Sequence, residues 1–308
     1  MLFLEPCSFA FVFCLFSTVL AASIPETFAR YCDTKEPSSA LRFAHTYLAW
    51  AEPRDNEYYN ASIVDERILH RKQKRYQKRE AFSPVFTIDT YIHIVADSES
   101  AQTNSSAYVT DSQIRAQFEY LVNSYADVGI GFRLRGYSRV TNDTWAENGD
   151  DLAMKQALRK GTYSTLNIYY QSRLQTAPGS PDIDSGSVLL GFCSLPGAGV
   201  RETTPAAAYV FDGCNILSAT MPGGSISFYN LGGSTVHEVG HWTGLLHTFE
   251  GYTCNEGDYG DYVADTPQQS TSTNGCPRAK DTCPNSGAPA GFDGSDGEFS
   301  SFFFIIIF

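Results

Sequence analysis

Hydrophobic and polar positions follow strand-like and helix-like patterns from about residue 85 onwards. Runs rich in β-branched and aromatic residues predict strands. These runs cover residues 86–95, 130–134, 166–170, 188–193 and 206–211. Apolar residues at helical spacing after Thr110 and Asp111 predict one long helix, and a shorter helix is predicted at 151–160. Strands that alternate with helices in this way predict an α/β (α+β) fold, with helices packed on a mixed twisted sheet.

A third helix, predicted at about 233–245, carries the most informative run of the chain. Ser234 or Thr235 is the expected N-cap of this helix. Residues 237–247 read H-E-V-G-H-W-T-G-L-L-H and contain three of the six histidines of the chain. Gly244 can take the left-handed conformation that ends a helix sharply, so the chain is expected to turn directly after it.

The spacing within this run is that of a catalytic zinc site. On a helix, His237 and His241 lie one turn apart on the same face, and the turn that follows can bring His247 to the same ion. Three neutral imidazoles leave one position of a tetrahedral zinc ion open, and a water molecule there has its pKa lowered to about 7. Glu238 follows the first ligand, where its carboxylate can act on that water as a general base. The alternative is a buried amphipathic helix with incidental histidines.

The pattern H-E-x-x-H-x-x-G-x-x-H is that of the metzincin metalloproteases, and its surroundings narrow the resemblance. The run H-E-V-G-H-W-T-G-L-L-H-T-F-E-G is followed by G-D-Y-V-A-D-T-P and C-P-R-A-K-D-T-C-P. Together these segments resemble the pappalysin family, in particular its secreted fungal extracellular metalloproteases. Two upstream segments, Y-I-H-I-V and L-L-G-F-C-S-L-P-G, are also similar to that family. The resemblance covers roughly residues 85–290.

The resemblance implies a secreted zinc endopeptidase that hydrolyses peptide bonds in peptide or protein substrates. Its catalytic domain is expected at 80–290, with Glu238 as general base and a water bound to the zinc as the nucleophile. The substrate is expected to lie extended and to pair with an edge strand of the sheet. Either 188–190 or 208–211 is the candidate for that edge.

The cysteines of the catalytic region are candidates for disulfides. Cys193 and Cys214 flank one loop region and are candidates to pair with each other. The resemblance implies a disulfide-tied lower subdomain after the zinc helix, in which Cys254 pairs with Cys283. An acidic stretch in this subdomain has the oxygen ligands that a structural calcium ion takes, and a solvated acidic loop is the alternative. Its members are Glu256, Asp258, Asp261 and Asp265.

The N-terminal segment predicts secretion. Residues 6–22 are almost wholly apolar and end in small residues, so 1–22 is expected to be a cleaved signal peptide. A signal anchor is the alternative, because Glu5 is present and no basic residue precedes the apolar run. Cleavage would leave an extracellular protein without stable membrane insertion, and an oxidising compartment suits its cysteines. Candidate glycosylation sequons begin at Asn60, Asn104 and Asn142.

Residues 23–79 are expected to be a pro-segment. The stretch 67–80 holds seven basic residues, including dibasic pairs at 74–75 and 78–79 that suit a processing protease; a solvated basic linker is the alternative. Cys32 is a candidate cysteine switch, in which a thiolate of the pro-segment occupies the open zinc position. An ordinary disulfide is the alternative for this cysteine.

Charge excludes one class of partner. The formal net charge is −12, and residues 80–308 carry 11 basic against 25 acidic residues, which gives −14. No basic surface for nucleic acid is therefore expected.

The end of the chain departs from the family pattern. Metzincins carry a methionine in a turn beneath the zinc, but the last methionine of this chain is Met221. The C-terminal part is therefore expected to be truncated, with 291–308 an aberrant apolar tail. A second function stays open on this ground: a catalytically crippled secreted homologue that binds peptide or metal without turnover.

Overall fold

A computed structural model describes most of the catalytic region and a few residues before it. The described residues are 34, 37–42, 45, 84–176, 188–201, 203–227, 229–251, 253–255, 260–263, 266, 268–272 and 280–284. The predicted signal peptide, Cys32, the dibasic pairs and the apolar tail lie outside them. Within this part of the chain, no helix has both the length and the apolar character needed to cross a bilayer.

Five strands form one mixed sheet. They are β1 (Phe86–Ala96), β2 (Ile130–Thr141), β3 (Leu166–Gln171), β4 (Gly191–Cys193) and β5 (Cys214–Leu217). Their order across the sheet is β2-β1-β3-β5-β4. The pairs β2–β1, β1–β3 and β3–β5 are parallel, and β4 pairs antiparallel with β5 at one edge. The predicted mixed α/β architecture is confirmed, and β4 is a short edge strand.

Helices connect and cover these strands. From residue 84 onwards, those of the described part are α1 (Asp111–Ala126), α2 (Asp143–Ala146), α3 (Asp151–Leu158) and α4 (Gly233–Trp242). α1 begins with a capping box, because the Thr110 side chain accepts from the Gln113 N–H and the Gln113 side chain accepts from the Thr110 N–H. Ile114 and Leu121 of α1 share one buried core with Val239 of α4. α4, the metal-motif helix that carries His237 and His241, is thus packed against α1.

The predicted strand at 206–211 is wrong. Ala206–Tyr209 form a 3-10 turn after Pro205, whose φ is −59°. The proline ring fixes that angle, and the three alanines that follow favour helical over strand conformations. The strand of this region is β5, which begins at Cys214. All four of its residues are buried, so no polar-apolar alternation marks it in the sequence.

His93 of β1 is an ordinary buried core histidine. Its Nε2 lies 3.1 Å from Asn167 Oδ1, and its Nδ1 lies 2.9 Å from Ser138 Oγ. The amide nitrogen of Asn167 donates to the carbonyls of Lys160 and Thr165, which fixes the amide oxygen toward the ring. Nε2–H therefore donates to Asn167, and the Ser138 hydroxyl donates to Nδ1. Burial lowers the pKa of His93 to about 4.

We expect the protein to lose stability as the pH falls from about 6.5 to about 4, because the unfolded chain protonates His93 in this window and the folded chain does not. The full difference corresponds to about 3 kcal/mol of unfolding free energy. His93→Gln keeps a donor and an acceptor without titrating, so it should lose less stability over the same window. Urea unfolding at about pH 7 and about pH 5 measures this difference, and an equal loss in both proteins would contradict it.

Candidate active site

α4 begins at Gly233, as predicted, but its N-cap is a glycine and not the hydroxyl residue expected from the sequence. Gly232 is the N-cap with φ 95°, and no side chain caps the helix. Ser234 and Thr235 lie inside the helix and are buried, and the Thr235 hydroxyl is 3.0 Å from the Tyr170 hydroxyl. The Gln117 side chain donates to the Gly232 carbonyl at 3.1 Å. Side chains of α1 and β3 therefore anchor the start of the helix.

The end of α4 turns back sharply, as expected, although the helix ends before the predicted Leu245. Gly244 has φ 106°, in the left-handed region. Its N–H donates to the carbonyl of His241, and the Leu245 N–H donates to the carbonyl of Gly240, both at 2.9 Å. These two bonds are those of a Schellman motif. The turn brings the third histidine of the run back beside the helix.

The three histidines of the motif meet at their Nε2 atoms. The Nε2–Nε2 distances are 3.0 Å for His237 and His241, 3.2 Å for His241 and His247, and 3.4 Å for His237 and His247. Ligands about 2.0–2.1 Å from a tetrahedral zinc ion lie about 3.3–3.4 Å apart. The donor set and the spacing therefore fit a tetrahedral divalent metal ion.

Neighbouring groups orient the imidazoles. His241 Nδ1 donates to the Leu245 carbonyl at 2.8 Å, which leaves its Nε2 lone pair toward the centre. His247 stacks on Phe249 with ring centroids 4.7 Å apart, and its Nδ1 lies 3.7 Å from a carboxylate oxygen of Glu250. Burial, with a smaller contribution from the charge of His247, lowers the pKa of His241 to about 3. The buried ring thus stays neutral, which is the form that binds metals.

Glu238 lies between α4 and β4 and is completely buried. Its Oε2 accepts from the hydroxyl of Thr34 at 3.4 Å. The same hydroxyl accepts from the backbone N–H of Cys193 at 3.3 Å. Further along the N-terminal stretch, the ring of His45 lies 6.0 Å from that of Tyr262. Residues of the predicted pro-segment therefore contact both the glutamate and the edge strand.

Comparison of the sequence with known proteins assigns the chain to a family. The peptidase M43 family model, described as pregnancy-associated plasma protein-A, matches residues 160–289. An extracellular metalloprotease of Aspergillus fumigatus is 43% identical over 271 residues, which cover 83% of this chain and 77% of that protein. The chain belongs to the pappalysin family of extracellular metalloendopeptidases.

A second relative agrees with this membership. An extracellular metalloprotease of Pyricularia oryzae is 40% identical over 275 residues, which cover 89% of this pappalysin and 83% of that protein. Among solved structures, a mutant of Tannerella forsythia promirolysin is 21% identical with a TM-score of 0.49, over 86% of this chain and 85% of that one.

The edge of the sheet beside the metal motif is β4. The Cys193–Cys214 disulfide joins β4 to β5, with a Cα–Cα distance of 4.1 Å. Of the two predicted substrate edges, 188–190 lies directly before β4, whereas 208–211 overlaps the 3-10 turn and is wrong as a strand. Thr34 binds the N–H of Cys193 on the side of β4 away from β5. Among the described residues, the side of β4 away from β5 therefore faces Thr34 and, through it, the buried glutamate.

Asp212 connects α4 to the residue that directly follows β4, and the sequence analysis did not predict this role of Asp212. Its carboxylate accepts from Trp242 Nε1 at 2.9 Å, from the Arg159 guanidinium at 2.7 Å and from the Ser194 hydroxyl at 3.2 Å. Burial raises the pKa of Asp212, and these three donors act in the opposite direction, Arg159 most strongly. The partners are 18 to 53 positions away in the sequence, so no local pattern could have identified them.

A second disulfide and part of the predicted calcium stretch lie after α4. Cys254 and Cys283 form the second disulfide, with a Cα–Cα distance of 5.4 Å. Asp261 is buried, and its Oδ1 accepts from the Val263 N–H at 3.0 Å. The other three members of the predicted calcium stretch, Glu256, Asp258 and Asp265, lie outside the described residues.

The predicted glycosylation sequons differ in their surroundings. Asn104 is exposed in a turn. Asn142 is half-buried, and its side-chain oxygen caps α2 by accepting from the Trp145 N–H at 3.0 Å. Asn60 lies outside the described residues.

Proposed function

We propose that the chain is a secreted zinc endopeptidase in which His237, His241 and His247 hold the catalytic ion and Glu238 is the general base. The observation that carries this proposal is the triangle of imidazole nitrogens, 3.0–3.4 Å apart, beside a completely buried carboxylate. Bound zinc supplies a Lewis acid for the scissile carbonyl and lowers the pKa of a water molecule to about 7.

The residues around that ion would transfer the proton and align the substrate. Glu238 accepts the proton of the attacking water and passes it to the nitrogen of the leaving amine. An extended substrate pairs with the open side of β4, where the N–H of Cys193 is a hydrogen-bond donor. The disulfide to Cys214 keeps that donor in place. The substrate backbone is thereby aligned along the cleft, whatever its side chains are.

Metal removal tests the proposal. We expect metal analysis of the purified protein to find one zinc ion per chain, and a chelator to abolish cleavage of labelled casein. Activity should return when zinc is added back, because the imidazole triangle is held by the fold and is ready to rebind the ion. A divalent ion that prefers oxygen ligands, such as magnesium, is the matched control and should not restore activity. A folded protein that contains no stoichiometric zinc would overturn the proposal.

We further propose that 23–79 is a pro-segment that keeps the enzyme latent after the signal peptide 1–22 is removed. Cys32 would hold the open position of the zinc ion with its thiolate, and cleavage at the dibasic pairs would release it. The support is the position of Thr34, whose hydroxyl binds both Glu238 and the edge strand. Two residues of chain span at most about 7 Å, so we expect Cys32 to lie near Glu238 and the metal site beside it.

A further inference from the structure

Gly191 of the edge strand faces the side chain of the buried glutamate. A methyl group added at this position would lie 2.8 Å from Cγ of Glu238, and 3.1 Å from its Cδ and Oε1. Real side chains essentially never approach a neighbouring carbon to 2.8 Å, so any residue larger than glycine would displace the glutamate. Gly191 therefore provides the space in which this side chain lies.

The backbone conformation at residue 191 does not require a glycine. Gly191 lies in β4 and is absent from the residues with positive φ, so other residues can adopt its conformation. It also pairs regularly with Ile216 of β5. Glycine weakens a strand interior because it adds conformational entropy to the unfolded chain. Its benefit must come from what lies against it, and that neighbour is Glu238.

The glutamate has little room to move elsewhere. Glu238 is completely buried, and it follows His237 directly on α4. Its Oε2 is in contact with the Thr34 hydroxyl, which also binds the N–H of Cys193. The carboxylate is therefore placed beside the open side of β4, next to the position where a substrate backbone would pair.

We propose that Gly191 is a positioning residue for the general base: the missing side chain at this point of the edge strand fixes where the Glu238 carboxylate lies. This inference rests on the proposed role of Glu238. It also explains why the edge strand and the metal-motif helix can approach each other closely at the cleft. Gly191 has no side chain that could take part in the reaction, so it acts only through the glutamate.

The test is Gly191→Ala with Gly136→Ala as its matched control. Gly136 also lies in a strand, but a methyl group there meets the Tyr91 ring at 3.9 Å, an ordinary contact. We expect Gly191→Ala to lower kcat about 10- to 100-fold, since a shift of about 1 Å in a catalytic group can cost that much. KM and zinc content should stay as in the original enzyme, and Gly136→Ala should change neither kcat nor KM. An unchanged kcat, or a loss that follows zinc content, would overturn the inference.

A stability cycle keeps the inference testable if Gly191→Ala folds poorly. Glu238→Ala removes the atoms that the new methyl group would meet, so Gly191→Ala should lower the Tm much less in that background. Equal destabilisation in both backgrounds would show that the glutamate is not the neighbour that matters. Glu238→Gln separates this inference from the proposed function. If that variant stays fully active, the proposed function fails; if it is inactive while Gly191→Ala keeps its kcat, only the inference fails.

Discussion

Replacing Glu238 with glutamine should lower kcat by about 10²–10⁴-fold and leave the metal site intact. Glutamine has nearly the same shape as glutamate, so it fits the space beside Gly191 without disturbing the three histidines. Its amide cannot accept a proton from water at neutral pH, so the step that activates the nucleophile is lost. Peptide cleavage measured under steady-state conditions, together with the zinc content of each preparation, checks this expectation.

The matched control for this substitution is Glu119→Gln. Glu119 is exposed on α1, so the change removes the same charge far from the cleft and should leave kcat unaltered. Full activity in Glu238→Gln with bound zinc would remove the general base from the proposed mechanism. Loss of zinc together with activity would assign the glutamate to metal binding instead.

Replacing Cys32 with serine should make the uncut proprotein active. A tethered ligand acts at an effective concentration on the order of 1 mM, so a contact with a Kd of about 1 µM would suppress activity roughly 1000-fold. Serine is a much poorer zinc ligand than a thiolate, so the variant should lose most of this suppression. The comparison needs a background in which the dibasic pairs at 74–75 and 78–79 are replaced, so that cleavage does not activate the original protein.

Two results would contradict the cysteine switch. Thiol labelling of the purified proprotein could show Cys32 in a disulfide, which would leave no thiolate for the metal. The serine variant could also remain as inactive as its parent. The combination with Glu238→Gln is the control for contaminating proteases, because it should be inactive whether or not Cys32 is present.

The sequence predicted the meeting of the three histidines more fully than it predicted the fold around them. His237 and His241 are four residues apart on one helix, and Gly244 can take the left-handed conformation that turns the chain back, so local spacing brings the three imidazoles together. The capping box that starts α1 is equally local, since Thr110 and Gln113 bind each other. Interactions of this kind lie within one or two turns of chain, where spacing determines distance.

The remaining elements depend on contacts that are distant in the sequence. β5 is covered on both faces, so its residues do not alternate, and only the pairing with β3 and β4 makes it a strand. Asp212 becomes important because Arg159 and Trp242 reach it from two other elements. Nothing in the sequence distinguishes Gly191 from any other glycine in a short strand, because its neighbour Glu238 lies on α4, much further along the chain. The predicted N-cap of α4 was wrong for the same reason, since Tyr170 and Gln117 anchor the start of this helix from other elements.

The turn after α4 has a consequence for how this enzyme can change over evolution. Its two defining hydrogen bonds join main-chain atoms, and only the left-handed angle of Gly244 demands a particular residue. Thr243 and Leu245 can therefore be exchanged for other amino acids while His247 still returns to the other two histidines. Descendants of this chain can vary these two positions without separating the three imidazoles.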